Sequence, residues 1–385
     1  MKKLIIINFL DHFVSYAMTM LLPLYLVNKN LSLTEIGIVF SIMPFVSIAF
    51  RLFFAYLADH VGCKIFLILD GMAMMAANII YALSSLPIFF GLGKICEGVA
   101  TQAFWSVNRT AIYRVSSNAE EKNAAFMDAV RRTAIALATI SSGFLIATIS
   151  FENTFFLLAL VSILIAFVAF TLEEKVLVHE MSKIDWADFW ARILSLRRES
   201  TFWLTSFAMV FSVSVLTLIM WFILPIFMVE EVDFSYEEIG LSLTFFYTAS
   251  AVSSYMTLKN NFNPLLLFLM VILSASLLLM PLASKDNFIL FYLPFSFGYG
   301  ILFAFHEFII AKETKKSRTV STDIGLLHVP TRIAQTIVLG AGGFLAQTFG
   351  FFPVFLISFL MFIAFAIVVY RLIGPKQLRT RSTRS

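Results

Sequence analysis

Long apolar runs constrain this chain more than any other feature, because most exceed the ~18 residues that mark a transmembrane helix candidate. Twelve spans are predicted, at about 4–27, 33–54, 65–84, 87–112, 124–149, 153–172, 201–229, 236–258, 264–284, 288–311, 324–348 and 352–373. Each holds roughly 20–28 residues, enough to cross a hydrocarbon core of about 30 Å with some tilt. Lys2 and Lys3 precede the first run as in a signal peptide. No small-residue cleavage site follows, so the run is read as a retained helix.

Composition closes off the alternatives. Hydrophobic residues make up 60% of the chain and charged residues only 14%, where soluble proteins carry roughly 25% charge. Disorder needs low hydrophobicity and high net charge. The 44 phenylalanines suit lipid-facing and helix-packing surfaces. A net charge of +4 does not point to a nucleic-acid partner. Cys63 and Cys96 are too far apart to suggest a disulfide framework or a metal site. There is no Gly-rich loop followed by Lys-Ser/Thr and no His-Glu-x-x-His. ATP-driven transport is therefore not expected, nor is a metal or cofactor. No nucleophile–base set stands out, and the chain is not read as an enzyme.

Topology follows from the basic residues. With the N-terminus inside, 22 of the 28 Lys and Arg fall on cytoplasmic segments, and only Lys29 and Lys285 on outer loops. That bias predicts cytoplasmic N- and C-termini. The acidic stretch Glu230, Glu231, Asp233, Glu237 and Glu238 then falls outside. The longest connection, 173–200, is cytoplasmic, and its 184–190 segment is either an amphipathic helix at the membrane surface or a plain linker.

The two halves repeat at an offset near 200. Leu22-Pro23-Leu24-Tyr25-Leu26-Val27 matches Leu224-Pro225-Ile226-Phe227-Met228-Val229. Glu35-Ile36-Gly37 matches Glu238-Ile239-Gly240, Arg132 matches Arg332, and Gly143-Phe144-Leu145 matches Gly343-Phe344-Leu345. Two six-helix halves of the same orientation imply a pseudo-two-fold axis along the membrane normal. This is the parallel-repeat architecture of some secondary transporters, with the site between the halves. The predicted organisation is an N-terminal six-helix bundle (1–172), a cytoplasmic central loop (173–200), a C-terminal six-helix bundle (201–373) and a basic cytoplasmic tail (374–385).

The loop between the second and third spans carries a resemblance. Ala55-Tyr56-Leu57-Ala58-Asp59-His60-Val61-Gly62-Cys63-Lys64 resembles the cytoplasmic loop motif of the major facilitator superfamily, Gly-x-Leu-Ala-Asp-Arg-x-Gly-Arg-Lys. Leu57, Ala58, Asp59, Gly62 and Lys64 match; Ala55, His60 and Cys63 depart. In the fourth span, Gly93-Lys94-Ile95-Cys96-Glu97-Gly98 is similar to the family's Arg-x-x-Gln-Gly element, with Lys94 for Arg and Glu97 for Gln. The resemblance covers essentially the whole chain. It implies an all-α membrane fold, small organic solutes as substrates and a cytoplasmic gate formed by Leu57, Asp59, Gly62 and Lys64. Gly62 suits a tight turn needing positive φ, and Asp59 can accept from helix N-terminal amides or pair with a cation. The fifth-helix element of drug–proton antiporters, Gly-Pro followed by glycines, has no counterpart in Ala138–Gly143.

Ionisable residues within spans are costly and are functional candidates by default. They are Asp11 and His12 in the first span, Asp70 in the third, Lys94 and Glu97 in the fourth, and Asp128, Arg131 and Arg132 in the fifth. The second half has His306 and Glu307 in the tenth and His328 and Arg332 in the eleventh. Spacing pairs Lys94 with Glu97, and Asp128 with Arg131 and Arg132. Glu97 near mid-membrane and Arg132 about 12 Å from the cytoplasmic end of its helix would meet if the fourth and fifth helices pack together. Asp70 is placed near the headgroups. Glu97, then Asp11 and Asp128, are the expected proton-coupling carboxylates. Arg132 and Arg332 at repeat-related positions suit a carboxylate or phosphate-like group. Lys94, Arg131 and His328 are further substrate candidates. Tyr16, Trp105, Trp221 and Tyr299 are candidate apolar walls. Gly298, Gly300, Gly340, Gly342 and Gly343 are expected to allow close helix approach.

The function read from these residues is proton-coupled secondary transport of small organic solutes by alternating access. Export of amphipathic, drug-like compounds is the first reading and uptake of an organic anion the alternative. A non-transporting receptor of the same fold is the reading from another class. The expected partners are a small-molecule substrate, protons and the lipid bilayer. The chain is expected as a monomer in a prokaryotic plasma membrane.

Overall fold

The computed structural model describes residues 1–115, 120–173, 198–260, 262–314 and 320–373. Side chains of residues 59–60, 109–110, 113–115, 120–125 and 320–322 are not described. The predicted 184–190 helix, the basic tail and the Asp59 side chain therefore lie outside the described residues.

No strand occurs among the described residues, as expected where lipid offers no partner to an unpaired backbone group. Among the described residues twelve helices run in chain order: α1 (Lys2–Asn28), α2 (Leu33–Val61), α3 (Lys64–Leu83), α4 (Pro87–Val115), α5 (Glu120–Ile149), α6 (Phe151–Phe170), α7 (Ser200–Glu230), α8 (Tyr236–Lys259), α9 (Pro264–Leu282), α10 (Phe288–Thr314), α11 (Val320–Phe349) and α12 (Phe352–Ile373). Ten of them are long and apolar enough to cross a membrane by length and composition alone. The other two, α4 and α8, are long enough but more polar: α4 carries Lys94 and Glu97 within its span, and α8 is rich in Ser and Thr. Lipid-facing rows are legible in the exposed apolar side chains, as on α6 with Leu160, Ile163, Leu164, Phe167 and Phe170.

The helices group into two compact units, Met1–Tyr25 with Ile42–Arg197, and Leu26–Ser41 with Arg198–Ser385. In the first, α3 packs against α4 and α6. A Cβ at Gly71 would lie 2.5 Å from the Ala166 backbone nitrogen, so the α3 and α6 backbones touch there. In the second, α8 packs on α10 and α7 on α11 and α12. Among the predicted glycine contacts Gly300 is very tight, against the Ser250 carbonyl and Ser253, whereas Gly340 faces open space. The second unit takes in residues 26–41 because Gly37 lies against Gly343 and the Thr34 amide donates to Gln347 Oε1 (3.0 Å).

The sequence repeat has a structural basis. Glu35 and Glu238 each close a capping box: the Ser32 and Ser235 amides donate to the glutamate carboxylates (2.8 Å each), and the glutamate amides donate to the serine hydroxyls (3.3 Å each). The backbone positions with positive φ also fall in pairs: Asn30 with Asp233, Gly62 with Phe262, and Ser150 with Gly350. Gly62 has φ 88°, the conformation its loop position calls for.

Two helices depart from α geometry. Within α7, Leu216–Ile223 widens to a π-helix, and the Leu224 amide donates to the Ile219 carbonyl. Pro225 follows immediately; its ring has no N–H and crowds the carbonyl four residues back, at Trp221. Within α9, Ala275–Leu282 tightens to a 3-10 helix ahead of the break at Ala283.

Candidate functional site

The first unit holds three groups of buried polar side chains. The first is a closed triad. Lys94 Nζ donates to both carboxylate oxygens of Glu97 (3.0 and 2.8 Å), and Tyr81 Oη donates to Oε2 (2.9 Å). Glu97 thus finds partners on its own helix and on α3. Arg132 has another partner, so the expected Glu97–Arg132 meeting is not what the structure places: Arg132 Nε donates to Asp128 Oδ2 (2.7 Å).

The second group lies on α5, where Asp128 accepts from both Arg131 (2.5 Å) and Arg132, at the i+3 and i+4 spacings that the sequence predicts. These side chains are half-buried.

The third group centres on α1. His12 Nδ1 lies 2.7 Å from the Asn8 carbonyl and 3.4 Å from Asp11 Oδ2. Phe104 and Trp105 of α4 meet the His12 ring edge-on. One turn further in, Asn8 and Asn108 exchange two amide hydrogen bonds (2.9 and 2.7 Å), tying α1 to α4. Asp70 of α3 is 0% exposed, and neither carboxylate oxygen has a hydrogen-bond partner among the described residues.

The second unit is built differently. Arg332 Nη1 donates to Gln335 Oε1 (2.8 Å), and Gln335 Nε2 donates to the Thr217 hydroxyl of the α7 π-helix. Gln335 and Thr217 are each 1% exposed. Among the described residues no carboxylate pairs with Arg332, and its Nε is buried without a partner. Trp221 lies four residues after Thr217 on the same π-helix, and its indole N–H is likewise buried without a partner. The structure thus gathers Thr217 and Gln335 with Arg332, beside a segment whose widened turn is a common mark of functional positions. Gln335 is legible as the i+3 neighbour of Arg332, but sequence reasoning missed it. Nothing in the sequence announced Thr217, because its partner is more than a hundred residues away.

Other predicted residues fall elsewhere. His328 Nδ1 lies 2.7 Å from the Ile324 carbonyl on its own helix. His306 of α10 pairs with the Ser212 hydroxyl of α7 (2.8 Å), while Glu307 points outward, exposed. Tyr299 is buried against Phe246 and Phe303. Trp105 is 40% exposed. In the α2–α3 loop Lys64 sits over the Phe170 ring, 5.1 Å from its centre.

Among the described residues twelve helices, ten of them long and apolar enough to cross a membrane, with polar groups buried between them, make up a multi-pass membrane transporter rather than an enzyme. The chain belongs to the Major Facilitator Superfamily, whose family model matches residues 4–319. Among solved structures it is similar to a crystal structure of a mutant of the nucleoside transporter NupG. The TM-score is 0.77 at 13% identity, covering 97% of this chain and 99% of that one. A second crystal structure of NupG gives a TM-score of 0.72 at 12% identity, covering 97% and 98%. At those identities the likeness shows the fold. No curated protein matches the chain.

Proposed function

We propose that the chain is a proton-coupled secondary transporter for small organic solutes that carry a carboxylate or a comparable hydrogen-bond acceptor. The observation that carries this reading is Arg332: a guanidinium at membrane depth, held by a neutral Gln335 and matched by no carboxylate among the described residues. A buried cation without a counter-ion is costly. A ligand carboxylate would supply the missing charge and take the geometry that a planar guanidinium offers. Arg332 Nε and the Trp221 indole N–H are both buried without a hydrogen-bond partner among the described residues. Proton coupling is assigned to the first unit, to Asp11 of α1 and then Asp128 of α5. Glu97 is the weaker candidate, because three hydrogen bonds from Lys94 and Tyr81 already hold its carboxylate.

Gln335 and Thr217 act as positioning residues in this reading, fixing the guanidinium through a neutral relay. The Lys and Arg distribution supports cytoplasmic termini in a plasma membrane. A second reading, export of amphipathic compounds, draws its support from the loop match at Leu57, Gly62 and Lys64.

The test is a thermal-shift screen of purified protein with organic anions, lipophilic cations and nucleosides, run beside Arg332→Gln. A ligand that binds only the folded state raises apparent stability. Stabilisation by anions that disappears in Arg332→Gln supports the proposal. Stabilisation by cations or nucleosides that survives the substitution overturns it and returns Arg332 to a structural role.

A further inference from the structure

Thr331 is the group beside Arg332 that the proposed function leaves unused. It is 0% exposed, and its hydroxyl has no hydrogen-bond partner among the described residues. A helical threonine commonly satisfies itself by donating to the carbonyl four residues back. Thr336 of the same helix and Thr217 of α7 do so, at 3.0 and 2.7 Å. For Thr331 that carbonyl is Leu327, which serves the ladder of its own helix and also accepts from the Ser206 hydroxyl of α7 (2.8 Å). A carbonyl oxygen has two lone pairs, and both are then taken.

Two contacts bracket the Thr331 hydroxyl. Ser206 of α7 meets α11 at Leu327, and Thr217 of α7 meets it at Gln335. Thr331 lies four residues from each, one turn of α11 either way, so it shares the side that α11 turns to α7. Arg332 reaches into the same turn, because its Nη1 donates to Gln335 Oε1 (2.8 Å). The other polar groups of this turn are engaged: Gln335 joins Arg332 to Thr217, and Thr217 gives its own proton to the Val213 carbonyl. Two buried polar atoms are left without partners there, Arg332 Nε, a donor, and Thr331 Oγ1, which can donate or accept. The nearest undescribed side chain on α11, at 322, is nine residues or about 14 Å along the helix.

Burying a hydroxyl without a hydrogen bond is costly. A ligand held at Arg332 removes that cost if it brings a second polar atom. We propose that Thr331 is a specificity-determining residue of the Arg332 site, selecting carboxylates that carry a neutral oxygen close to the carboxylate, as 2-hydroxy and 2-oxo acids do. An ammonium in that place, as in an amino acid, meets a guanidinium that no described carboxylate neutralises and is disfavoured. The inference rests on the anion reading and adds the second polar group to it.

Matched carboxylates that differ by one hydroxyl test it on the purified full chain: phenylacetate against mandelate, and propanoate against 2-hydroxypropanoate, with affinities from thermal-shift titrations. Wild type is expected to bind the hydroxy acid about 3–10-fold more tightly, the worth of one neutral hydrogen bond. Thr331→Val should remove that preference and leave the affinity for the unsubstituted acid within about twofold. Its melting temperature without ligand should not fall, because no native hydrogen bond is lost. Thr331→Ser should restore the preference, and Thr331→Ala makes the same comparison should Thr331→Val not fold. No preference in wild type, or a preference that survives the loss of the hydroxyl, overturns the proposal. An equal loss of both acids in Thr331→Val also overturns it and makes Thr331 structural. In each of these cases the anion reading stands as long as binding disappears in Arg332→Gln. Binding of neither acid in either pair overturns both readings together.

Discussion

Residues 128 and 132 on α5, set beside their repeat partners 328 and 332 on α11, show how one architecture hosts two kinds of chemistry. On α5, Asp128 clasps Arg132 at i+4 and Arg131 at i+3, so the arginines are neutralised within their own helix. On α11, His328 stands where the aspartate would be, bonded to its own backbone, and Arg332 falls to a neutral glutamine. The first half concentrates carboxylates and bases that neutralise one another. The second leaves one cation uncompensated. That difference underlies the proposed division, with proton handling in the first half and charge recognition of solute in the second.

The largest effect follows from removing that one cation. Arg332→Gln should weaken anion binding about 10–100-fold, the worth of a hydrogen bond to a charged group. Arg132→Gln should change it much less, because Asp128 retains Arg131. Binding measured by thermal shift or calorimetry on both variants decides the matter; equal losses would show that the halves share the role. The next effect comes from copying α5 onto α11. His328→Asp would offer Arg332 a carboxylate at i+4 and should lower anion affinity about tenfold by competition. Unchanged affinity would mean that Arg332 cannot turn toward position 328 and that the vacant partner is not what recruits the ligand.

Much of this contrast was legible in the sequence. Span positions, the repeat and the Lys94–Glu97 and Asp128–Arg132 pairs all follow from local spacing, because an α-helix places i+3 and i+4 neighbours together whatever surrounds it. Contacts between helices were not legible. Glu97 is completed by Tyr81 of α3, which no spacing rule connects to it. Asp70 lies six residues from the start of its helix, and no spacing rule shows that it is fully buried. Thr217 reaches Gln335 from a π-helical stretch ahead of Pro225. The proline is visible in the sequence, yet Pro23 of the other half sits in an ordinary α-helix, so the widened turn depends on packing and not on the proline alone.

A smaller effect separates the halves at their α5–α6 and α11–α12 turns. Gly350 has φ 76° and open space around its Cα, whereas its partner Ser150 adopts φ 79° and ψ 166°, a region that suits glycine alone. In return the Ser150 hydroxyl accepts a long hydrogen bond from the Asn153 amide (3.5 Å). Ser150→Gly should therefore raise stability by about 1–2 kcal/mol and Gly350→Ser lower it by a similar amount, measured by denaturant unfolding in detergent. A destabilised Ser150→Gly would show that the cap outweighs the backbone strain.

The smallest effect tests whether the two capping boxes are equivalent. Glu35 and Glu238 make the same pair of serine contacts, and removing either carboxylate should cost about 0.3–1 kcal/mol, the worth of an acidic group at a helix N-terminus. Glu238 has in addition Lys285 Nζ at 2.8 Å, both side chains being more than a third exposed. An exposed pair of that kind is worth about 0–1 kcal/mol and is screened by salt. Glu238→Ala should thus cost slightly more than Glu35→Ala at low ionic strength, and the two should converge in about 1 M salt, where the Debye length falls to about 3 Å. Lys285→Ala should remove the difference at any salt, because it leaves both boxes with serine contacts alone. If the gap survived high salt, it would have to come from packing around Tyr236 and Ile239 instead of from the ion pair, and the repeat would be equivalent in hydrogen bonds but not in the apolar surface beneath them.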